Sequence, residues 1–227
     1  DREEILHILD RITGSRLTYC YGRFGGVTMD VDQTFLDQSL AYVRKLTERL
    51  KEYQQLVGDN VIFQHRCKGV GVIQRDVALQ YGVTGPCLRA CGVPYDVRRA
   101  EPYGIYDRFD FEIPTRTEGD SYARFEVRVD EMRESARIIE QCLEQMSGGP
   151  IMASVRRIAR PPAGEVFAHA ENPRGDFGVY LVSAGADKPY RLKLRPPSFC
   201  NLMAMKHMMR NAYIADAVMI LGSLDIV

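Results

Sequence analysis

Cysteine and histidine are the residue types in this sequence most able to bind a metal ion or to act as nucleophiles. The chain has six cysteines and four histidines. Only Cys87 and Cys91 lie close together, as a C-x3-C pair within the segment GPCLRACG. A structural zinc site needs two ligand pairs, usually spaced C-x2-C or H-x3-5-H, and the sequence has no second pair. We therefore predict that the chain binds no metal and that its cysteines are core thiols.

Motifs for cofactor phosphates and for acyl transfer are also missing from the sequence. Gly69-Val70-Gly71 is followed by neither the third glycine of a dinucleotide fingerprint nor the Gly-Lys-Ser/Thr of a P-loop. The G-x-S-x-G pentapeptide of serine hydrolases does not occur. Residue types and spacing alone thus give little support to a cofactor-binding site in this chain.

The overall charge argues against a nucleic-acid-binding surface, and the hydropathy argues against a membrane-spanning helix. Thirty basic and thirty acidic residues give a formal net charge of zero, which disfavours a nucleic-acid-binding surface. A membrane-spanning helix needs roughly 18–20 apolar residues in a row. The longest candidate, residues 212–227, is interrupted by Asp216 and Asp225. We predict that the chain does not itself span a membrane.

Two long amphipathic helices must carry most of the architecture. Apolar residues at helical spacing predict one helix from Phe35 to Tyr53, ending at Gly58, and another from Tyr122 to Met146, ending at Gly148. The same pattern predicts shorter helices within residues 5–12, 74–81, 199–209 and 213–220.

The remaining segments have other patterns. Residues 19–29 contain three glycines and are predicted to be a loop, and residues 61–72 fit either a strand or an irregular turn. Residues 82–121 contain four prolines and five glycines, a density that forbids long helices. Residues 164–195 read as short strands joined by turns. The predicted class is α+β, helix-dominated, with one small antiparallel sheet near residues 164–195.

Both ends of the sequence look like cuts through a longer protein. The chain opens on DREEILHILDRITGSRL, already in a helical pattern and without Met, and it closes on the apolar run ILGSLDIV. We expect the sequence to be a piece of something larger.

Several segments together carry a resemblance to a known family. They are RITGSRLTYCYGRFGG, VTGPCLRACGVPYDVRRAEPYGIYDRFDF, GDSYARFEVRVDEMRESARIIEQ, ENPRGDFGVYLVSAGADKPYRLKLRPPSF and ADAVMILGSLDIV. In this order and spacing, they resemble the D-type subunit of respiratory complex I, NADH:quinone oxidoreductase. That family is itself related to the large subunit of nickel–iron hydrogenases. The resemblance covers essentially the whole chain and implies a hydrogenase-large-subunit-like fold.

The resemblance also implies how the chain is organised. Residues 1–227 would be the C-terminal portion of a single hydrogenase-large-subunit-like domain. It would comprise a helical core over residues 1–150, a β-containing segment over 151–197 and C-terminal helices over 198–227.

The last three residues distinguish the two branches of this superfamily. Related hydrogenases have Asp-Pro-Cys-x-x-Cys where this chain has Asp225-Ile226-Val227. Nickel needs soft thiolate ligands, which isoleucine and valine cannot supply. Apolar side chains instead suit a quinone ring and its isoprenoid tail. The resemblance thus places Asp225, Ile226 and Val227 along the quinone cavity.

Other site residues also follow from the resemblance. Arg174, in Pro173-Arg174-Gly175, matches an arginine that overhangs the metal site in hydrogenases and persists in complex I, where a guanidinium can stabilise a reduced, anionic species. Arg16 and Arg23 match family arginines near the terminal iron–sulfur cluster. Thr18 stands where the family commonly has a histidine, and threonine does not titrate near neutral pH.

The implied function is electron transfer from NADH to a membrane quinone, coupled to proton translocation. No cofactor would be bound directly: quinone is the substrate, and the iron–sulfur cluster belongs to a neighbouring subunit. The histidine and tyrosine at the quinone headgroup lie in a family region absent from this chain, so its catalytic residues stay unknown.

The implied partners are the other complex I subunits, especially the B-type and C-type subunits and the membrane arm. The implied location is the peripheral arm on the cytoplasmic face of the inner membrane, or the matrix side of a mitochondrion. Two alternatives remain open: the large subunit of a membrane-bound nickel–iron hydrogenase, and a non-catalytic docking fragment. We expect the isolated piece to be inactive.

Overall fold

The fold combines helices with small antiparallel sheets, so the predicted α+β class is confirmed, although the described residues form two sheets and the sequence predicts one. The computed structural model describes residues 1–155 and 160–226. The chain forms two compact units, one made of Asp1–Glu52 with Ser135–Ala159 and the other of Tyr53–Glu134 with Arg160–Val227. The division into segments 1–150, 151–197 and 198–227 stays a prediction.

The first unit is built around helices α1 (Arg2–Thr13) and α2 (Gln33–Tyr53). Helix α1 ends because Gly14 adopts the left-handed conformation at φ 66°, which glycine reaches without steric cost. The predicted loop between the helices contains a short hairpin whose strands, β1 (Gly22–Arg23) and β2 (Gly26–Val27), have two residues each. The buried side chains of the two helices are Leu6, Ile12, Ser39, Val43 and Leu50.

The helical backbone continues past α2 as the π-helical turn Gln54–Gly58, so the predicted end at Gly58 is confirmed. The next segment corrects an expectation, because residues 61–72 are neither a strand nor only an irregular turn. Helix α3 (Val61–Cys67) forms there. The side chain of Asn60 accepts hydrogen bonds from the backbone N–H groups of Ile62 and Phe63, and this cap offsets the weak helix propensity of β-branched residues.

The proline-rich region has only short helical pieces in its described structure. Helix α4 (Arg75–Gln80) precedes it where the sequence predicts a brief helix. Within it lie α5 (Pro86–Arg89), α6 (Val97–Ala100) and the 3-10 turn Tyr106–Arg108. The predicted absence of long helices here is confirmed.

Helix α7 (Ser121–Glu144) is the second long helix, and it contributes residues to both units. The three-stranded sheet that follows has the order β3 (Gly164–Asn172), β4 (Gly175–Ser183), β5 (Arg191–Arg195), with both pairs antiparallel. It lies within the predicted residues 164–195. Helices α8 (Pro197–Met203), α9 (Met205–Met208) and α10 (Asp216–Leu224) close the chain, as the sequence predicts.

The main hydrophobic core belongs to the second unit. It is formed by α4, α5, α9 and α10, and its buried members are Ile73, Ala78, Val83, Cys87, Leu88, Cys91, Ala204, Met208, Ile220 and Leu224. Cys87 and Cys91 are therefore core thiols, as predicted, whereas Cys20 is exposed. Of the helices described, none combines the length and the apolar character needed to cross a membrane.

Candidate functional site

The structure brings two of the predicted site residues, Arg174 and Asp225, into direct contact. The Nε of Arg174 donates a hydrogen bond of 2.6 Å to the backbone oxygen of Asp225. The Nη2 of Arg174 also lies 3.5 Å from the Oδ1 of Asp225. Fifty-one residues separate the two in sequence. Their contact therefore depends on the tertiary fold.

Asp225 occupies an unusual backbone position at the end of α10. Its φ of 53° lies in the left-handed region, which is uncommon for a residue other than glycine. The backbone N–H of Asp225 bonds the carbonyl of Gly222, which closes the helix, and the chain then turns away from the helix axis. This turn leaves the backbone oxygen of Asp225 available to Arg174.

Arg174 is held by the tight turn between β3 and β4. Asn172 pairs with Gly175, so only Pro173 and Arg174 connect the strands. The fully buried Asn201 of α8 donates through Nδ2 to the carbonyl of Arg174 at 3.2 Å. The turn is therefore fixed by backbone contacts, which leaves the guanidinium of Arg174 to interact with the end of α10.

The same turn packs closely against residues 84–86. Gly85 has a φ of 67°, and a Cβ atom there would lie 2.5 Å from the carbonyl oxygen of Arg174. The side-chain oxygen of Thr84 accepts from the backbone N–H of Asp176 at 3.2 Å. Asn201 also accepts from the backbone N–H of Thr84 at 3.1 Å. Glycine at position 85 is required for this approach.

A cleft of about 280 Å³ opens beside Asp225, near the lower end of the range for small-molecule sites. Much of its apolar surface comes from Phe63, Phe125 and Met219. The two phenyl rings meet edge to face with centroids 5.0 Å apart. The polar side of the cleft includes Arg128 and Asp225. The remaining lining residues are Cys67, Ser121, Gly222 and Ser223.

Ile226 does not line this cleft. It is half-buried and packs against the main hydrophobic core. The apolar wall beside Asp225 is therefore built by side chains of α3, α7 and α10 that the sequence does not predict to be site residues. Val227 lies outside the described residues, so its place in the cavity stays a prediction.

Beneath the cleft lies a fully buried arginine, Arg124. It donates to four neutral oxygens, the carbonyls of Gly71 and Gly119 and the hydroxyls of Ser121 and Ser223. None of the ion pairs found between described residues includes it. Burial lowers the pKa of Arg124, because the charged guanidinium has lost its water.

A second arginine of α7, Arg128, faces Asp225 from another direction. Its Nε lies 4.0 Å from the Oδ2 of Asp225. That Nε is buried and has no hydrogen-bond partner in the described structure. Asp225 thus lies between the guanidinium groups of Arg128 and Arg174. With Arg124 below, the cleft is electrostatically suited to an electron-rich or anionic group.

Sequence reasoning misses Arg124 and Arg128. The predicted apolar stripe of α7 runs through Tyr122, Phe125 and Val129, which assigns both arginines to the solvent side. A signal is nevertheless present. Arg124 lies three residues before Val127 and four before Arg128, so charged and apolar residues share one helix face. A mixed face of this kind is typical of a buried polar network.

Another buried network joins α5, α6, α7 and β3. Arg89 bonds Glu131 at 2.5 Å and Glu171 at 3.0 Å, and lies 3.9 Å from Asp96. Burial raises the pKa of Glu171, although the neighbouring Arg89 opposes the change. Every member of this network has a protein partner, and none lines the cleft. We interpret it as structural.

The predicted cluster-side residues Arg16, Thr18 and Arg23 all belong to the first unit and are exposed. Arg16 forms an ion pair with Glu3 at 2.5 Å, and this hydrogen bond lowers the pKa of Glu3. Thr18 has a positive φ of 55°, and Arg23 lies in β1. Their proximity to an iron–sulfur cluster stays a prediction.

The described residues contain no metal-binding cluster, and one larger depression has no predicted site residue in its lining. Among residues 1–155 and 160–226, no three histidine, cysteine, aspartate or glutamate side chains come together to hold a metal ion. A larger depression of about 480 Å³ lies on one face of the sheet between Phe167, Tyr180 and Lys193. It contains no predicted site residue, so the smaller cleft beside Asp225 is the better candidate.

Comparison with known proteins identifies the relatives of this chain. A family model described as "Respiratory-chain NADH dehydrogenase, 49 Kd subunit" matches residues 1–163 and 154–227. The D-type subunit of the NADH-quinone oxidoreductase of Syntrophobacter fumaroxidans is 52% identical over 100% of the chain and 61% of its own length. A D-type subunit of the Opitutus terrae enzyme is 50% identical over 100% of the chain and 57% of its own length.

A third relative joins two subunit types in its name. The NADH-quinone oxidoreductase of Aquifex aeolicus has a C/D-type subunit that is 44% identical over 99% of the chain and 40% of its own length. The chain therefore spans less than two thirds of the length of each of these relatives.

Proposed function

We propose that this chain, which belongs to the family of the 49 kDa subunit of respiratory-chain NADH dehydrogenase, is part of a core subunit of NADH:quinone oxidoreductase. The protein would be an oxidoreductase component of the respiratory chain that helps to form the quinone site. The family model matches this chain from its first residue to its last, and this match and the names of the relatives support the proposal.

The observation that carries the quinone site is the contact between Arg174 and Asp225 beside an apolar cleft. Reduction of a quinone adds two electrons and two protons, so negative charge develops on its oxygens before the protons arrive. Phe63, Phe125 and Met219 would exclude water from the ring. The positive charge of Arg174 would then favour the reduced state, because electrostatic interactions strengthen in a water-poor site.

The electrons would come from the terminal iron–sulfur cluster of a B-type subunit, so this chain needs no cofactor of its own. The C-type subunit and the membrane arm would be further partners. The joint C/D name of the Aquifex relative supports the C-type neighbour. The fold would be that of a hydrogenase large subunit, and the location would be the membrane-peripheral arm, on the cytoplasmic face or on the mitochondrial matrix side.

The alternative of a nickel–iron hydrogenase is disfavoured, because the relatives carry quinone oxidoreductase names and Asp225-Ile226-Val227 offers no thiolate. A purely non-catalytic docking fragment would not require an arginine–aspartate contact beside an apolar cleft.

The test is to place Arg174→Gln in the full-length subunit of the assembled complex. We expect quinone reduction by NADH to fall by about tenfold or more, since the cationic group that contacts Asp225 beside the cleft is lost. Electron transfer from NADH to ferricyanide, a water-soluble acceptor, should be unchanged. Arg191→Gln, an exposed arginine on β5, is the matched control and should retain quinone reduction. Normal quinone reduction by an assembled Arg174→Gln enzyme would refute the site.

A further inference from the structure

Each carboxylate oxygen of Asp225 lies near a guanidinium group, one from Arg174 and one from Arg128. The proposed function gives a role only to Arg174. Arg174 bonds the backbone of Asp225 and approaches Oδ1. Arg128 approaches Oδ2 at 4.0 Å through its Nε. This distance is just beyond a hydrogen bond, so a shift of about 1 Å would create one.

The other nitrogens of Arg128 are held by weak or neutral acceptors. Its Nη1 donates to the carbonyl of Arg124 at 3.1 Å, one turn earlier in α7, and its Nη2 lies 3.8 Å from the sulfur of Cys87. Thiol sulfur is a weak acceptor. These contacts fix the orientation of the guanidinium but leave its charge without a bonded anion in the described structure.

The unpaired Nε of Arg128 needs an explanation, because buried N–H groups almost always have an acceptor. Asp225 is the anionic group nearest to this atom among the ion pairs of the described residues. It is partly exposed at the end of α10, whereas Arg128 is anchored in the middle of a long helix. Asp225 is therefore the partner able to move.

We propose that Arg128 is a positioning residue for quinone reduction, which holds the Asp225 carboxylate at the cleft through the oxygen that Arg174 does not contact. This inference rests on the proposed function. When a ligand displaces water from the cleft, the attraction between Arg128 and Asp225 strengthens, and the Nε gains its missing acceptor. Arg128 thus acts through Asp225, in the occupied state of the site.

The experiment is a double-mutant cycle in the full-length subunit of the assembled complex. The four enzymes are the parent, Arg128→Met, Asp225→Asn and the double variant, each assayed for kcat and KM with a soluble short-chain quinone. We expect Arg128→Met to lower kcat by roughly tenfold to hundredfold, because a small misplacement of a reacting group has effects of this size. The KM should change much less than kcat, because a misplaced carboxylate affects the geometry of the reacting group more than the binding of the quinone.

The cycle separates positioning from a direct effect. If Arg128 acts through Asp225, adding Arg128→Met to the Asp225→Asn enzyme should cost less than about twofold further. Arg128→Lys, which retains the charge, should recover part of the loss. Arg133→Met, at an arginine on the same helix that forms a partly exposed ion pair with Asp130, is the matched control and should behave as the parent.

Three results would overturn the role of Arg128: a parental kcat for Arg128→Met, a full loss repeated in the Asp225→Asn background, or no recovery with lysine. If Arg128→Met does not assemble, Arg128→Gln takes its place, because it preserves a donor to the helix carbonyl. A failure of the proposed function looks different. In that case Asp225→Asn and Arg174→Gln would themselves leave quinone reduction unchanged.

Discussion

At the scale of single residues, the second unit contains a histidine held between two carboxylates. The Nε2 of His169 lies 3.1 Å from Glu101 and its Nδ1 lies 3.1 Å from Asp176. The hydrogen bond to Glu101, and then that to Asp176, raises the pKa of His169 above its ordinary value of 6.5. The ring of Phe167 also lies beside His169, with centroids 5.4 Å apart.

This arrangement predicts a pH dependence of stability with a definite sign. Because the folded pKa of His169 is raised, its stabilisation is fully present below pH 6.5 and is lost as the pH rises through the folded pKa. We expect His169→Gln to lower the free energy of unfolding at acidic pH by at most about 1 kcal/mol, as is usual for partly solvated ion pairs. The difference should vanish at alkaline pH.

Urea unfolding at a pH below 6.5 and at an alkaline pH above the folded pKa of His169 measures this effect. His65→Gln, a substitution at an exposed histidine, is the control variant. A loss for His169→Gln that is the same at acidic and alkaline pH would contradict the assignment of a protonated His169.

Residue types alone predict only part of the site. Arg174 and Asp225 are identified through the resemblance of their segments to a family, and their mutual contact cannot be read from residues fifty-one positions apart. Arg124 escapes prediction because a buried guanidinium bonded to neutral oxygens has no pattern of opposite charges along the helix. Its partners are backbone carbonyls and serine hydroxyls, most of them from other segments.

At the scale of elements, the β3–β4 turn depends on the close approach of Gly85. Any Cβ at this position would collide with the carbonyl of Arg174, and the φ of 67° adds conformational strain. Gly104 has a similar φ of 62° but no neighbouring atom within 4 Å of the Cβ position. Comparing the same substitution at Gly85 and at Gly104 therefore separates the cost of backbone strain from the cost of steric overlap.

We predict that Gly85→Ala destabilises the protein by about 1–3 kcal/mol more than Gly104→Ala, because only the first overpacks its surroundings. Chemical denaturation of the two variants measures the difference. Equal losses would mean that the turn carrying Arg174 can move away from residues 84–86 without cost.

The elements themselves are largely predictable from periodicity. Helix α7 and the strands β3 to β5 have strong hydrophobic patterns, and both are expected at nearly their observed positions. Helix α3 is not, because Val61, Ile62 and Phe63 have high strand propensity. Its formation depends on the Asn60 cap and on packing of Phe63 against Phe125, and a propensity argument does not include tertiary contacts.

At the scale of the whole molecule, the function is inferred from the family resemblance, because local sequence patterns do not indicate it. Composition and spacing lead only to a helix-dominated α+β protein without a metal motif. Each of the two compact units carries one predicted group of residues: Arg16, Thr18 and Arg23 in the first, and Arg174, Asp225 and Ile226 in the second. The second group is the one in which the structure joins two members, Arg174 and Asp225, beside a cleft.

We propose that the cleft at the end of α10 receives a quinone. Photoaffinity labelling of the full-length subunit in the assembled complex, with a quinone that carries its reactive group on the ring, tests it most directly. We predict that the label maps to peptides containing Phe63, Phe125 or Met219 and that excess unlabelled quinone abolishes it. Labelling of these peptides that resists competition, or competed labelling found only elsewhere in the complex, would contradict the claim.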